Sequence, residues 1–123
     1  MAFVLYSPQV VKCLTRVDVE PVLDFLRSLE TRVRAKVFRG IDLLANHWPR
    51  IGEPHVKRVP GYEGLWELRE QLGNTRVRLF FFQAGPGLLA VVHGYVKKTK
   101  KAPQGVLKTA ARRMQEYRSR GGE

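Results

Sequence analysis

The stretch VVHGYVKKTKKAP, Val91 to Pro103, places His93, Tyr95, Lys97, Lys98, Lys100 and Lys101 within nine residues. An imidazole and a phenol can move or share protons, and lysines hold anions. Along an extended chain His93, Tyr95 and Lys97 share one face, while Val92, Gly94, Val96 and Lys98 share the other. Two hairpins upstream bring arginines to the same place. If Gln83 pairs with Leu88, Arg78 lies opposite His93 and Arg76 opposite Tyr95. If Leu72 pairs with Thr75, Arg69 lies opposite Arg78. Arg69, Arg76, Arg78, His93, Tyr95 and Lys97 would then share one face across three strands, provided neither hairpin slips by one residue. Crowded cations repel, and a phosphate relieves that repulsion: arginine grips its oxygens in a bidentate way and lysine adds a mobile charge. The same residues also read as a core histidine, a strand-packing tyrosine and a solvated sheet face.

The elements that must position this face follow from periodicity. Phe3–Tyr6 and Val10–Leu14 are short β-rich runs on either side of Ser7-Pro8. Asp18 can cap a helix in which Val22, Phe25, Leu26 and Leu29 recur at helical spacing. Thr31 can cap a second, with Val33, Val37, Ile41 and Leu44 as its stripe, ended by Trp48-Pro49. Val56–Val59 reads as an edge strand. Leu65–Leu72, Thr75–Gln83 and Leu88–Lys97 read as three longer strands, joined by Gly73-Asn74 and by Ala84–Gly87. After Pro103 a last helix carries Val106, Leu107, Ala110, Ala111 and Met114 on one side. The expectation is one α+β domain over residues 1–123, with helices on one face of an antiparallel sheet of four to five strands.

Charge narrows the partners. Twenty-two Lys+Arg against eleven Asp+Glu give +11. From Lys97 onward nine basic and two acidic residues give +7, and residues 1–96 supply the other +4. That balance suits nucleic acid or another anionic partner. Cys13 is the single cysteine, so no intrachain disulfide is expected. His47 and His55 lack any metal-site spacing, so no metal is expected. No apolar run approaches the roughly 20 residues of a membrane helix. A cytoplasmic protein without cofactor or membrane contact is expected.

The ordered segments PVLDFLRSLETRVRAKVFRGIDLL, VKRVPGYEGLWELRE, TRVRLFFF and HGYVKKTKKAP, followed by a helix containing AARR, resemble the RelE/HigB-like toxins of type II toxin–antitoxin systems. The likeness covers about residues 20–118 and is nearest to their phage-derived HigB branch. It implies two N-terminal helices on an antiparallel sheet with a basic C-terminal helix. It also implies an endoribonuclease that cuts mRNA on the ribosome without a metal and is silenced by a cognate antitoxin, a helix-turn-helix protein. In such enzymes the RNA 2′-hydroxyl attacks the adjacent phosphate, leaving a 2′,3′-cyclic phosphate or its opened product. By position in the motifs, the resemblance assigns Arg78 to the transition-state phosphate and Lys97 and Lys98 to phosphate binding or acid catalysis. His93 and Tyr95 become acid/base candidates and Arg69 a phosphate ligand. Glu67 is left as ion-pair partner or base. Arg76, Lys100 and Lys101 complete the expected RNA-binding set. Two other readings keep the fold: a ParE-like inhibitor of DNA gyrase, and a non-catalytic module that binds nucleic acid or antitoxin.

Overall fold

The computed structural model describes residues 2–5 and 21–121. Strand β1 (Ala2–Leu5) is followed by helices α1 (Pro21–Ser28) and α2 (Thr31–His47). Strands β2 (Val56–Arg58), β3 (Trp66–Leu72), β4 (Thr75–Gly85) and β5 (Leu88–Lys97) come next, then helix α3 (Gln104–Glu116). The five strands form one sheet in the order β1-β5-β4-β3-β2. β2 to β5 are antiparallel, as expected. β1 departs from that expectation and runs parallel to β5, pairing Ala2 with Leu88 and Leu5 with Val91. A parallel neighbour needs a crossover, and the two helices of α1 and α2 lie in that connection. The expected strand Val10–Leu14 and the Asp18 cap lie outside the described residues.

The sheet is covered on both sides, which corrects the expectation of helices on one face. α1 packs on β5 and α2 on β3. Gly94 is where α1 comes closest: a Cβ there would lie 2.6 Å from Leu79 and 2.7 Å from Phe25. α2 approaches β3 in the same way at Gly40, where a Cβ would collide with the Glu70 carboxylate. α2 is capped by Glu30 rather than Thr31, since the Glu30 carboxylate accepts from the amides of Arg32 and Val33 at 3.2 and 3.4 Å. Acceptance by a carboxylate satisfies amides that the first helical turn leaves free.

α3 packs on the opposite face, where it buries Ala110 and Met114. Tyr117, just past its end, meets Phe82 edge-on at 5.5 Å. The long apolar run of β4 follows from this two-sided cover: Val77 and Leu79 to Phe82 are all buried because helices lie above and below. Phe81, with Trp48 and Trp66 set edge-on near 5 Å, closes the α2 side. Phe81 is core, and the two half-buried tryptophans pack against it.

Candidate functional site

α3 covers only part of its face, and the remainder is the basic surface. The Gly73-Asn74 hairpin pairs Leu72 with Thr75 and Arg69 with Arg78, as the turn chemistry predicts. Gly73 takes φ +58°, which the tight turn requires and glycine supplies freely. The β4–β5 register differs from expectation. Arg78 lies opposite Tyr95 rather than His93, and Arg76 opposite Lys97 rather than Tyr95. The reason is the turn: Gly85 pairs with Leu88 across a two-residue Pro86-Gly87 link, where the expected four-residue link would have paired Gln83 with Leu88. That moves the pairing by two positions, and the one-residue irregularities at Gln83/Gly85 and Phe80/Phe81, one on each strand, offset each other, so the pleat still turns all six residues to the same side.

Glu67 stands at the centre of this surface. Its carboxylate lies 3.8 Å from Arg69 Nε and 4.0 Å from Arg78 Nε, an attractive distance too long for a hydrogen bond. Both Nε atoms are buried and have no hydrogen-bond partner among the described residues, and neither has the Tyr95 hydroxyl. Arg78 is only 5 % exposed, and its Nη1 donates to the Val77 carbonyl at 3.1 Å. A buried donor without a partner costs free energy, so three of them side by side mark a place prepared for an acceptor.

The local electrostatics agree. Burial first, and then the adjacent Arg69, pulls Arg78 below its ordinary pKa, with Glu67 opposing. Lys97 is lowered by burial and then by Arg78. Tyr95 is raised by burial and then by Glu67, so its phenol keeps its proton well above neutrality. The cations therefore destabilise one another, and an incoming anion gains what they lose.

His93 belongs to a neighbouring environment. It faces Phe80, with the rings stacked at 6.4 Å, and Phe80 stacks in turn on Tyr95 at 5.9 Å. Its Nδ1 accepts from Arg113 of α3 at 3.2 Å, while the same Arg113 nitrogen donates to the Val92 carbonyl at 2.9 Å. Burial, then Arg113 and Arg112, lowers the imidazole pKa from 6.5 to about 4. At neutral pH the ring is uncharged, and with Nδ1 accepting, its proton sits on Nε2. Arg113 is the contact that sequence reasoning missed. Its signal was a basic residue lying between Ala110 and Met114 on the otherwise apolar stripe of α3. Lys98, Lys100 and Lys101 are exposed beyond the end of β5, so they rim the face rather than line it.

Among the described residues no group of three His, Cys, Asp or Glu side chains is placed to hold a metal ion, and no helix is long and apolar enough to cross a membrane. The fold and site define a small basic α+β protein with clustered arginines on one sheet face. The model of the phage-derived Gp49-like proteins (DUF891) matches residues 24–115. The chain belongs to that family, which is related to the toxins of toxin–antitoxin systems. No curated protein matches it.

Proposed function

We propose that this chain is the toxin of a type II toxin–antitoxin pair, of the RelE/HigB kind, and acts as an endoribonuclease on mRNA at the ribosome. The observation that supports this reading is the pair Arg69 and Arg78, side by side with unpartnered Nε donors and one loosely held carboxylate between them. In the proposed reaction the RNA 2′-oxygen forms a bond to phosphorus and the bond from phosphorus to the 5′-oxygen breaks. Arg69 and Arg78 hold the non-bridging oxygens, whose charge grows in the transition state. The Tyr95 phenol donates a hydrogen bond to the same group. Clustered cations lower the cost of the 2′-oxyanion, so its proton leaves to solvent. Lys97, made a readier donor by its lowered pKa, returns a proton to the 5′-oxygen. His93, neutral and tied to Arg113, props α3 against Phe80 in this scheme and transfers no proton.

The test is induction of the chain in cells, followed by mapping of new mRNA 5′ ends, with Arg78→Ala alongside. New ends with wild type and none with the variant are expected. Intact mRNA together with accumulating gyrase-linked DNA breaks would replace this reading with that of a gyrase poison. RNA binding without any product would leave a non-catalytic module.

A further inference from the structure

A small slot opens on the same face, on the side of Glu67 away from Arg69. Val59, Phe80, Ala102 and Leu107 form its apolar floor and walls, and Lys57 and Glu67 stand at its rim. Cross-strand pairing places Glu67 between Lys57 of β2 and Phe80 of β4, so all three share one side of the pleat. The slot holds about 110 Å³. That is on the scale of the roughly 150 Å³ of an engineered apolar cavity known to take benzene, a size that suits one flat ring better than two fused ones.

We propose that this slot receives a pyrimidine base of single-stranded RNA, cytosine in preference to uracil, with the Glu67 carboxylate accepting from the exocyclic amine. The inference rests on the RNA reading above and adds a base preference to it. Single-stranded RNA is recognised by splaying bases into pockets where apolar walls take the ring and a few polar groups read its edge. A carboxylate accepts from the N4 amine of cytosine, whereas uracil presents a carbonyl oxygen there and is repelled. Glu67 keeps acceptor capacity for this contact because it is ion-paired with both arginines at 3.8 and 4.0 Å without hydrogen-bonding their Nε atoms. Lys57, exposed at the mouth, can donate to the cytosine O2. One carboxylate thus stands between the base slot and the phosphate grip, and Arg69 follows two residues along the same strand face.

The experiment is a titration of the full chain, by calorimetry or NMR, with cytidine, uridine and adenosine 3′-monophosphates and with ribose 3-phosphate. The cytidine compound is expected to bind about tenfold tighter than ribose 3-phosphate and about fivefold tighter than the uridine one, the adenosine compound gaining little over the sugar. Glu67→Gln, whose amide can turn either way, is expected to bring cytidine and uridine within about twofold. Ala102→Phe fills the slot and is expected to reduce the cytidine compound to the affinity of ribose 3-phosphate, which itself stays constant. Equal affinities for all four probes, tightest binding of adenosine, or an unchanged cytidine preference in Ala102→Phe would each overturn the slot. Because cleavage is not read, the two ideas separate. A chain that ranks the nucleotides this way but leaves mRNA uncut keeps the slot and loses the nuclease. A chain that cuts mRNA and ranks nothing does the reverse.

Discussion

Strand β4 divides one face of the sheet into two regions that differ in every respect except their pleat. Toward its start, Arg76 and Arg78 lie beside Arg69, Tyr95 and Lys97, with buried donors that lack partners. Two residues further on, Phe80 and Phe82 lie under α3, packed against His93 and Tyr117. The first region gives up stability by crowding like charges. The second supplies it by burying aromatic area, which is worth roughly 25 cal/mol per Å² removed from water. Tyr95 joins them, its ring stacked on Phe80 and its hydroxyl turned to the arginines' electrostatic field. The contrast shows how a small domain can keep a costly cation cluster: the strain is confined to the part of the face that the last helix leaves uncovered.

The sharpest way to break this division is to remove the shared floor. Phe80→Ala should destabilise the fold by about 3–5 kcal/mol, the usual cost of emptying a buried aromatic site. Urea denaturation should show it, and cleavage should fall with it. Arg78→Ala should act on the other region alone. A loss of about 10²–10³ in cleavage rate is expected, the range seen when one donor to a developing oxyanion is deleted, with a melting temperature close to wild type. If its melting temperature falls as far as that of Phe80→Ala, the two regions are one.

His93 tests the boundary between them. Its pKa is lower in the fold than in the unfolded chain, so between about 6.5 and 4 the unfolded state binds the extra proton. Stability is therefore full above about pH 6.5 and is lost as the pH falls toward 4. The loss should reach about 1–3 kcal/mol, discounted for partial exposure. In His93→Gln that window should flatten in denaturation curves taken at pH 7 and pH 4.5. The smallest effect is expected at the rim. Lys100→Ala with Lys101→Ala should weaken RNA binding about equally for all sequences and reduce its logarithmic salt slope by roughly 0.7 per lost phosphate contact.

Much of this division is legible in the residues. The period-2 runs place β3, β4 and β5 within two residues of their observed ends, and β5 on them. Parity alone collects Arg69, Arg76, Arg78, Tyr95 and Lys97 on one side. What periodicity does not reveal is where a strand gains a residue. The extra residues Ala84 and Val92 lie where no alternation marks them, and the Ala84–Gly87 stretch does not declare that Pro86-Gly87 alone forms the turn, so His93 is misplaced by two residues. The face taken by α3 was also hidden, because an amphipathic helix declares which side it buries and not which side of a sheet receives it. Arg113 was overlooked for the same reason: its partners, Val92 and His93, become neighbours only once α3 crosses β5.

The paired irregularities in the β4–β5 hairpin also constrain how this chain can change length. Ala84 of β4 and Val92 of β5 are the extra residues, one on each strand, and deleting either alone removes one irregularity while the other remains. Deleting the two together should leave Arg78 opposite Tyr95 and Phe80 opposite His93, so length variants of this hairpin should survive where both strands change by the same count.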